Sequence, residues 1–198
     1  MQATNLNQSS KEKYLDQIRP TLAKELNKKN IYQVPSLKKI VLNTSFGRLN
    51  PNEKLREQIA EGLAKISGQK PIFTKAKKAI AGFKIKKDQV VGAKVTLRSK
   101  RMYYFLEKLI SIVLPRLRDF RGVSEAAFDK GGNYTIGFRE ITVFPEVEYT
   151  REETPIGLEV TIQVRAKDVD EAKTLLTKFG MPFTKAKMKK EEVNIKLS

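Results

Sequence analysis

The stretch AKVTLR (93–98) alternates without a break: Ala93, Val95 and Leu97 point to one side of an extended chain, and Lys94, Thr96 and Arg98 to the other. A strand of this kind has one face for a core and one that is cationic and hydroxylated. In SLKKIVLN (36–43), Ile40 and Leu42 likewise oppose Lys39, Val41 and Asn43, and in GLEVTIQVR (157–165) Leu158, Val160, Ile162 and Val164 share one side. Tyr134, Ile136 and Phe138 alternate beyond the turn signal Gly131–Gly132.

Helical segments separate these strands. A capping box at Ser9 and Glu12 opens a first helix carrying Tyr14, Leu15, Ile18, Leu22 and Leu26, which Pro20 should kink or reset. Asn50 as cap, Pro51 at the first helical position and Glu53 open a second, with Leu55, Ile59, Leu63 and Ile66 as its buried stripe and Gly68 as its stop. Ser99 is placed to cap a third helix, with Phe105, Leu106, Leu109, Ile110 and Val113 inward and Pro115 at its end. Asp168 with Glu171 caps a fourth that runs through Ala172, Leu175, Leu176 and Phe179 to Gly180. Strands that are apolar on one side only predict an α+β fold: an antiparallel sheet with helices packed on one face and the other face exposed. With 198 residues and 40% hydrophobic content, the chain suits one domain over 11–183, a polar N-terminal extension over 1–10 and a charged C-terminal tail over 184–198.

Charge says what the exposed face is for. The net charge is +17, and between Gly68 and Arg101 eleven Lys and Arg residues meet one acid, Asp88. At the centre, TKAKKAIAGFKIKK (74–87) contains no acid and interleaves its lysines with Ala76, Ala79, Ile80, Ala81, Gly82 and Phe83, so it can approach a surface closely. Such a cluster repels itself and calls for a polyanion, with RNA or DNA the first candidate. The bland alternative, a solvated basic face, does not account for the small and apolar interleaving. Lys39, Asn43, Lys94, Thr96 and Arg98 would line the open sheet face beside this segment, which makes that face a candidate surface for RNA.

Other chemistries are excluded or weakened by what is missing. With no His and no Cys, the chain cannot build a thiolate zinc site, a Cys nucleophile or a Ser–His couple. Carboxylates could still bind magnesium, but Glu152–Glu153 and Glu191–Glu192 are adjacent pairs in polar sequence, and only Asp88 lies in the basic segment. Gly132 and Gly137 have the spacing of a phosphate-binding loop, yet Phe138–Arg139 follows where Lys–Ser/Thr is required. No enzyme and no cofactor is expected. An RNA-recognition-motif protein would need aromatic rings on its central strands; AKVTLR offers none. A polybasic membrane protein needs a large apolar moment or lipidation signal, and neither is seen. The polar start MQATNLNQSS lacks signal-peptide zones, so a cytoplasmic protein is expected.

The motifs QVPSLKKIVLN (33–43), ISGQKPIFTKAKKAIAGFKIKK (66–87), GAKVTLR (92–98), LPRLRDFRG (114–122), FDKGGNYTIGFRE (128–140) and FPEVEY (144–149) resemble, in order, those of the bacterial family of the ribosomal large-subunit protein numbered five. The resemblance runs from about Tyr14 to Phe183. It implies a structural protein that binds 5S rRNA in the central protuberance, next to large-subunit rRNA and other proteins of that region. It implies 5S rRNA contacts at Asn43, Gln69, Thr96 and Arg98. The Lys-rich loop, with Lys75, Lys77, Lys78, Lys84, Lys86 and Lys87, would then lie near peptidyl-site tRNA, and a region around the later strands would bridge to a small-subunit protein. Consistent with a second contact, EITVFPEVEYTREE (140–153) carries five Glu, so Glu146, Glu148, Glu152 and Glu153 are expected to face a basic small-subunit protein. An RNA-binding module for another structured RNA remains the alternative.

Overall fold

The computed structural model describes residues 10–46, 53–118, 120–147 and 156–184. Ser9, Asn50 and Pro51, expected at two helix starts, lie outside the described residues, as do Glu148, Glu152 and Glu153. Helix α1 runs continuously through Ser10–Lys13, a π-helical turn Tyr14–Ile18 and Arg19–Glu25. The π turn sits where the proline demands it: the Arg19 N–H reaches back to the Tyr14 carbonyl, and Pro20, which has no N–H, follows directly. Tyr14 and Leu22 are buried, whereas Leu15 is exposed and does not belong to the buried stripe.

Strand β1 (Ser36–Ser45), helix α2 (Glu53–Ser67), strands β2 (Ile72–Lys75) and β3 (Val90–Leu97) and helix α3 (Ser99–Lys108) follow. A π turn Leu109–Val113 and a 3-10 turn Leu114–Arg116 extend α3 to the proline. Ser99 does not cap this helix: its φ is +50°, and the start has no side-chain capping hydrogen bond. The strand-to-helix corner turns through a left-handed residue, which leaves the hydroxyl badly placed to reach back to the first amides. Strands β4 (Val123–Ser124), β5 (Tyr134–Phe138) and β6 (Leu158–Arg165), helix α4 (Val169–Lys178) and strand β7 (Phe183–Thr184) complete the chain. At α4 the expected cap forms, with the Glu171 N–H donating to Asp168 Oδ1 over 2.9 Å.

Five strands pair antiparallel in the order β2-β3-β1-β6-β5, and β4 pairs with β7 in a separate parallel ribbon. Ile40, Leu42, Val95, Leu97, Val160, Ile162 and Tyr134 are buried on one side under the helices, which contribute Leu22, Leu63, Leu106, Leu109, Leu175 and Leu176 to the same core. The fold is therefore α+β with a one-sided core. Gly92 has no room for a side chain between its neighbouring strands, since a Cβ there would lie 2.5 Å from the Thr44 carbonyl oxygen and 2.9 Å from Thr74 Oγ1. Between Phe128 and β5, Asp129 closes the turn by accepting from the amides of Gly131 and Asn133 and from Asn133 Nδ2. Hydrogen bonds from Asn133, then Gly131, hold its carboxyl below the ordinary Asp value.

Candidate nucleic-acid interface

Pairing register converts the alternating strands into one surface. Across the open face a first row runs Ile72, Lys94, Asn43, Glu159 and Gly137, and a second runs Thr96, Val41, Thr161 and Thr135. Lys39 pairs opposite Gln163, and one step beyond the Ile40–Leu97 pair the register brings it towards Arg98. Lys39, Asn43, Lys94, Thr96 and Arg98, drawn from two strands about fifty residues apart, are thus brought together on the side away from the core. Thr161 and Thr135 hydroxyls meet at 3.2 Å, whereas among the described residues the Thr96 hydroxyl has no hydrogen bond and is left for an outside partner.

Two features of the face escape the strand-by-strand reading. Glu159 places an acid in the middle of it, accepting from Asn43 Nδ2 at 3.3 Å; the period-two pattern of GLEVTIQVR contained this, but only the β1–β6 register shows that the acid lies beside Asn43. The amide of Asn43 is thereby oriented, with its own oxygen left to accept. Gln163 Oε1 is shielded from solvent and has no partner among the described residues, an acceptor that a donor brought by RNA or by the neighbouring Lys39 would satisfy.

Gln69 reaches this surface from the turn after α2, where Gly68 takes a φ of +64° and Ser67 Oγ accepts from the Gln69 amide. Its Nε2 donates to the Thr96 carbonyl at 3.4 Å, and its Oε1 accepts from Arg101 Nη1 at 3.3 Å. The turn is thereby tied to the end of β3, and Arg101, on the first turn of α3, joins Gln69 and Arg98 as an exposed cation that sequence reasoning did not single out.

The Lys-rich segment is an arm with backbone hydrogen bonds at its base and near its tip. Its first two residues, Thr74 and Lys75, belong to β2; Ala76 exchanges backbone hydrogen bonds with Asp88 and Gln89, and Ile80 with Ile85. A 3-10 turn Ala81–Phe83 closes the tip, where Lys84 has a φ of +53°. Lys75, Lys77, Lys78, Lys84, Lys86 and Lys87 are all exposed. The tip is amphipathic as well as basic, with Ile80 48% and Phe83 56% exposed.

Glu146 makes a contact within the fold that charge counting did not show. Its Oε1 lies 2.6 Å from Lys108 Nζ, which also donates to the Ile66 carbonyl at 2.6 Å and sits over the Phe105 and Phe144 rings. The carboxylate is only partly exposed: through Lys108 its Oε1 ties the acidic segment to α3, while its Oε2 has no hydrogen-bond partner among the described residues.

Among the described residues there is no group of three or more potential metal ligands and no helix long and apolar enough to cross a membrane. A one-sided α+β sheet with a largely cationic, hydroxylated outer face and a basic arm at its edge has the charge pattern of a nucleic-acid-binding protein. Residues 30–86 match the family model of ribosomal protein L5, and residues 90–183 match the model of that ribosomal family's C-terminus. The chain belongs to the ribosomal protein L5 family: it is a large-subunit ribosomal protein that binds rRNA, and its place is the cytoplasmic ribosome. The two matches meet within one sheet, since β1 and β2 fall in the first and β3, β5 and β6 in the second.

Proposed function

We propose that the open face of the sheet binds 5S rRNA and anchors it in the central protuberance, with Lys39, Lys94 and Arg98 meeting phosphates and Asn43, Gln69 and Thr96 forming directional hydrogen bonds. The observation that carries this reading is the register that sets Lys94 beside Asn43 and Thr96 beside Val41, with Gln69 tied to the Thr96 carbonyl. In this reading residues 11–183 act as one unit, with 1–10 and 184–198 as extensions, and the protein is structural, without a catalytic step or cofactor. The arm over 74–87 extends from the sheet edge towards peptidyl-site tRNA, while the acidic stretch 140–153, with Glu146, Glu148, Glu152 and Glu153, faces a basic small-subunit protein. Other central-protuberance proteins and large-subunit rRNA complete the surroundings.

The test is a competition of purified 5S rRNA, tRNA and an unrelated hairpin for the protein at physiological salt. Selective binding of 5S rRNA is expected. Equal affinity for all three would favour the second reading, a module for structured RNA in general.

A further inference from the structure

A groove of about 840 Å³ opens between the segment after α3 and the outer strand β5, at the opposite edge of the sheet from the Lys-rich arm, and Thr135 and Gly137, which end the two rows of the open face, line it as well. Leu117, Phe120, Ile136 and Val143 give it a half-buried apolar lining, and Arg116, Arg118 and Arg139 stand exposed around it. Among the described residues no acid pairs with these three guanidinium groups; Glu140, also on the rim, accepts from the Thr142 hydroxyl. One side of the groove is the edge of the five-stranded sheet, and beyond a single bridge from Phe128 to Tyr134 the edge of β5 carries no strand partner among the described residues. An unpaired edge beside an apolar trough is a site for strand addition.

The chain itself supplies a matching strand. Thr184, the last described residue, pairs with Ser124, which lines the groove, and so stands at the groove's rim. Gly122 allows this close approach: its φ is +103°, and a Cβ there would come within 2.9 Å of the Pro182 carbonyl oxygen. Residues 191–197 read EEVNIKL, an acidic pair followed by Val193, Ile195 and Leu197 in alternation with Asn194 and Lys196. The eight residues 185–192 can span up to roughly 26 Å when extended, which is ample to bring Val193 from the rim onto β5.

We propose that residues 191–197 bind in this groove as an added strand on β5, with Glu191 and Glu192 towards Arg116, Arg118 and Arg139 and the three apolar side chains against Leu117, Phe120 and Val143. A short tether makes this an intramolecular event at an effective concentration of the order of millimolar, so modest intrinsic affinity suffices. RNA is the other occupant that three arginines would suit, but it does not account for the apolar floor or the unpaired strand edge.

Hydrogen exchange of the amides of 134–139 is the direct measurement, made on the full chain, on a chain ending at Thr184 and on full-length Ile195→Asp. The full chain should exchange at least roughly tenfold more slowly there than either variant, and a synthetic peptide of residues 189–198 should restore protection to the shortened chain. Because the sequence has no Cys, the double variant Leu117→Cys and Ile195→Cys should also close a disulfide on mild oxidation. Equal exchange in all three proteins without a disulfide would overturn the proposal. Protection that appears only when rRNA is added, and equally in the shortened chain, would assign the groove to RNA and overturn it as well.

Discussion

Lys108 Nζ and Glu146 Oε1 stand 2.6 Å apart in a partly buried pair, with the same ammonium hydrogen-bonded to the Ile66 carbonyl. One cation therefore joins α3, the end of α2 and the acidic segment. Glu146→Gln should lower the unfolding free energy by about 1–2 kcal/mol in urea titrations, because a charge-assisted bond becomes a neutral one while Lys108 stays partly buried. An unchanged midpoint would show the pair to be spent on solvent. Tests of subunit joining are accordingly better made with Glu148, Glu152 and Glu153 alone.

Thr96→Val should weaken 5S rRNA binding without loss of fold, since it removes a hydroxyl but keeps a β-branched strand residue. Arg98→Ala should cost more, by about 1–3 kcal/mol, because an exposed multi-donor cation is lost. Filter binding and thermal melting of both variants check this, and wild-type affinity in both would displace RNA from the proposed face.

Salt dependence follows from the same face. The logarithm of the binding constant should fall linearly with the logarithm of salt concentration, with a slope of about −0.7 to −0.9 per phosphate neutralised. Lys94→Gln should make the slope shallower by about one such step. A slope that does not change would place Lys94 away from the phosphates.

Replacing residues 77–87 with Asn-Gly should keep the fold, because the backbone bonds of Ala76 to Asp88 and Gln89 remain to close a shorter hairpin. In the intact protein the arm, crowded by like charges, should exchange its amides much faster than β3. 5S rRNA binding should be largely spared, and retention of peptidyl-site tRNA on assembled ribosomes should fall. Slow exchange at the tip in the free protein would contradict the first expectation, and unaltered tRNA retention the second.

Asp129 gives the fold a pH dependence. Its carboxyl is held below the ordinary value by the hydrogen bonds from Asn133 and Gly131, so its contribution is present above the unfolded-state pKa and is lost as pH falls through the folded one. Thermal melts of Asp129→Ala should show a deficit relative to wild type at pH 6 that narrows as the pH drops below about 4. A deficit independent of pH would trace it to the turn backbone instead.

Local chemistry alone determined much of this protein. Period-two alternation in 93–98, 39–43 and 157–165 specified which side chains are buried, because a strand can present only two faces, whereas a bulge between Leu37 and Lys39 turns Leu37 inward against the period; the stop at Gly68, the Asp168 cap and the density of lysines over 74–87 were equally legible. The basic face could be read from Lys39, Asn43, Lys94, Thr96 and Arg98 for the same reason. Tertiary structure decided what depends on register and proximity between distant segments. Glu159 lies beside Asn43 because β1 pairs with β6 across more than a hundred residues, and Arg101 reaches Gln69 because the turn after α2 folds onto the end of β3. Charge counting set Glu146 among the acids expected to face a basic small-subunit protein, and only the approach of α3 reveals that it also pairs with Lys108. A residue's charge and periodicity are local properties, but its partner depends on how the whole chain closes around the core.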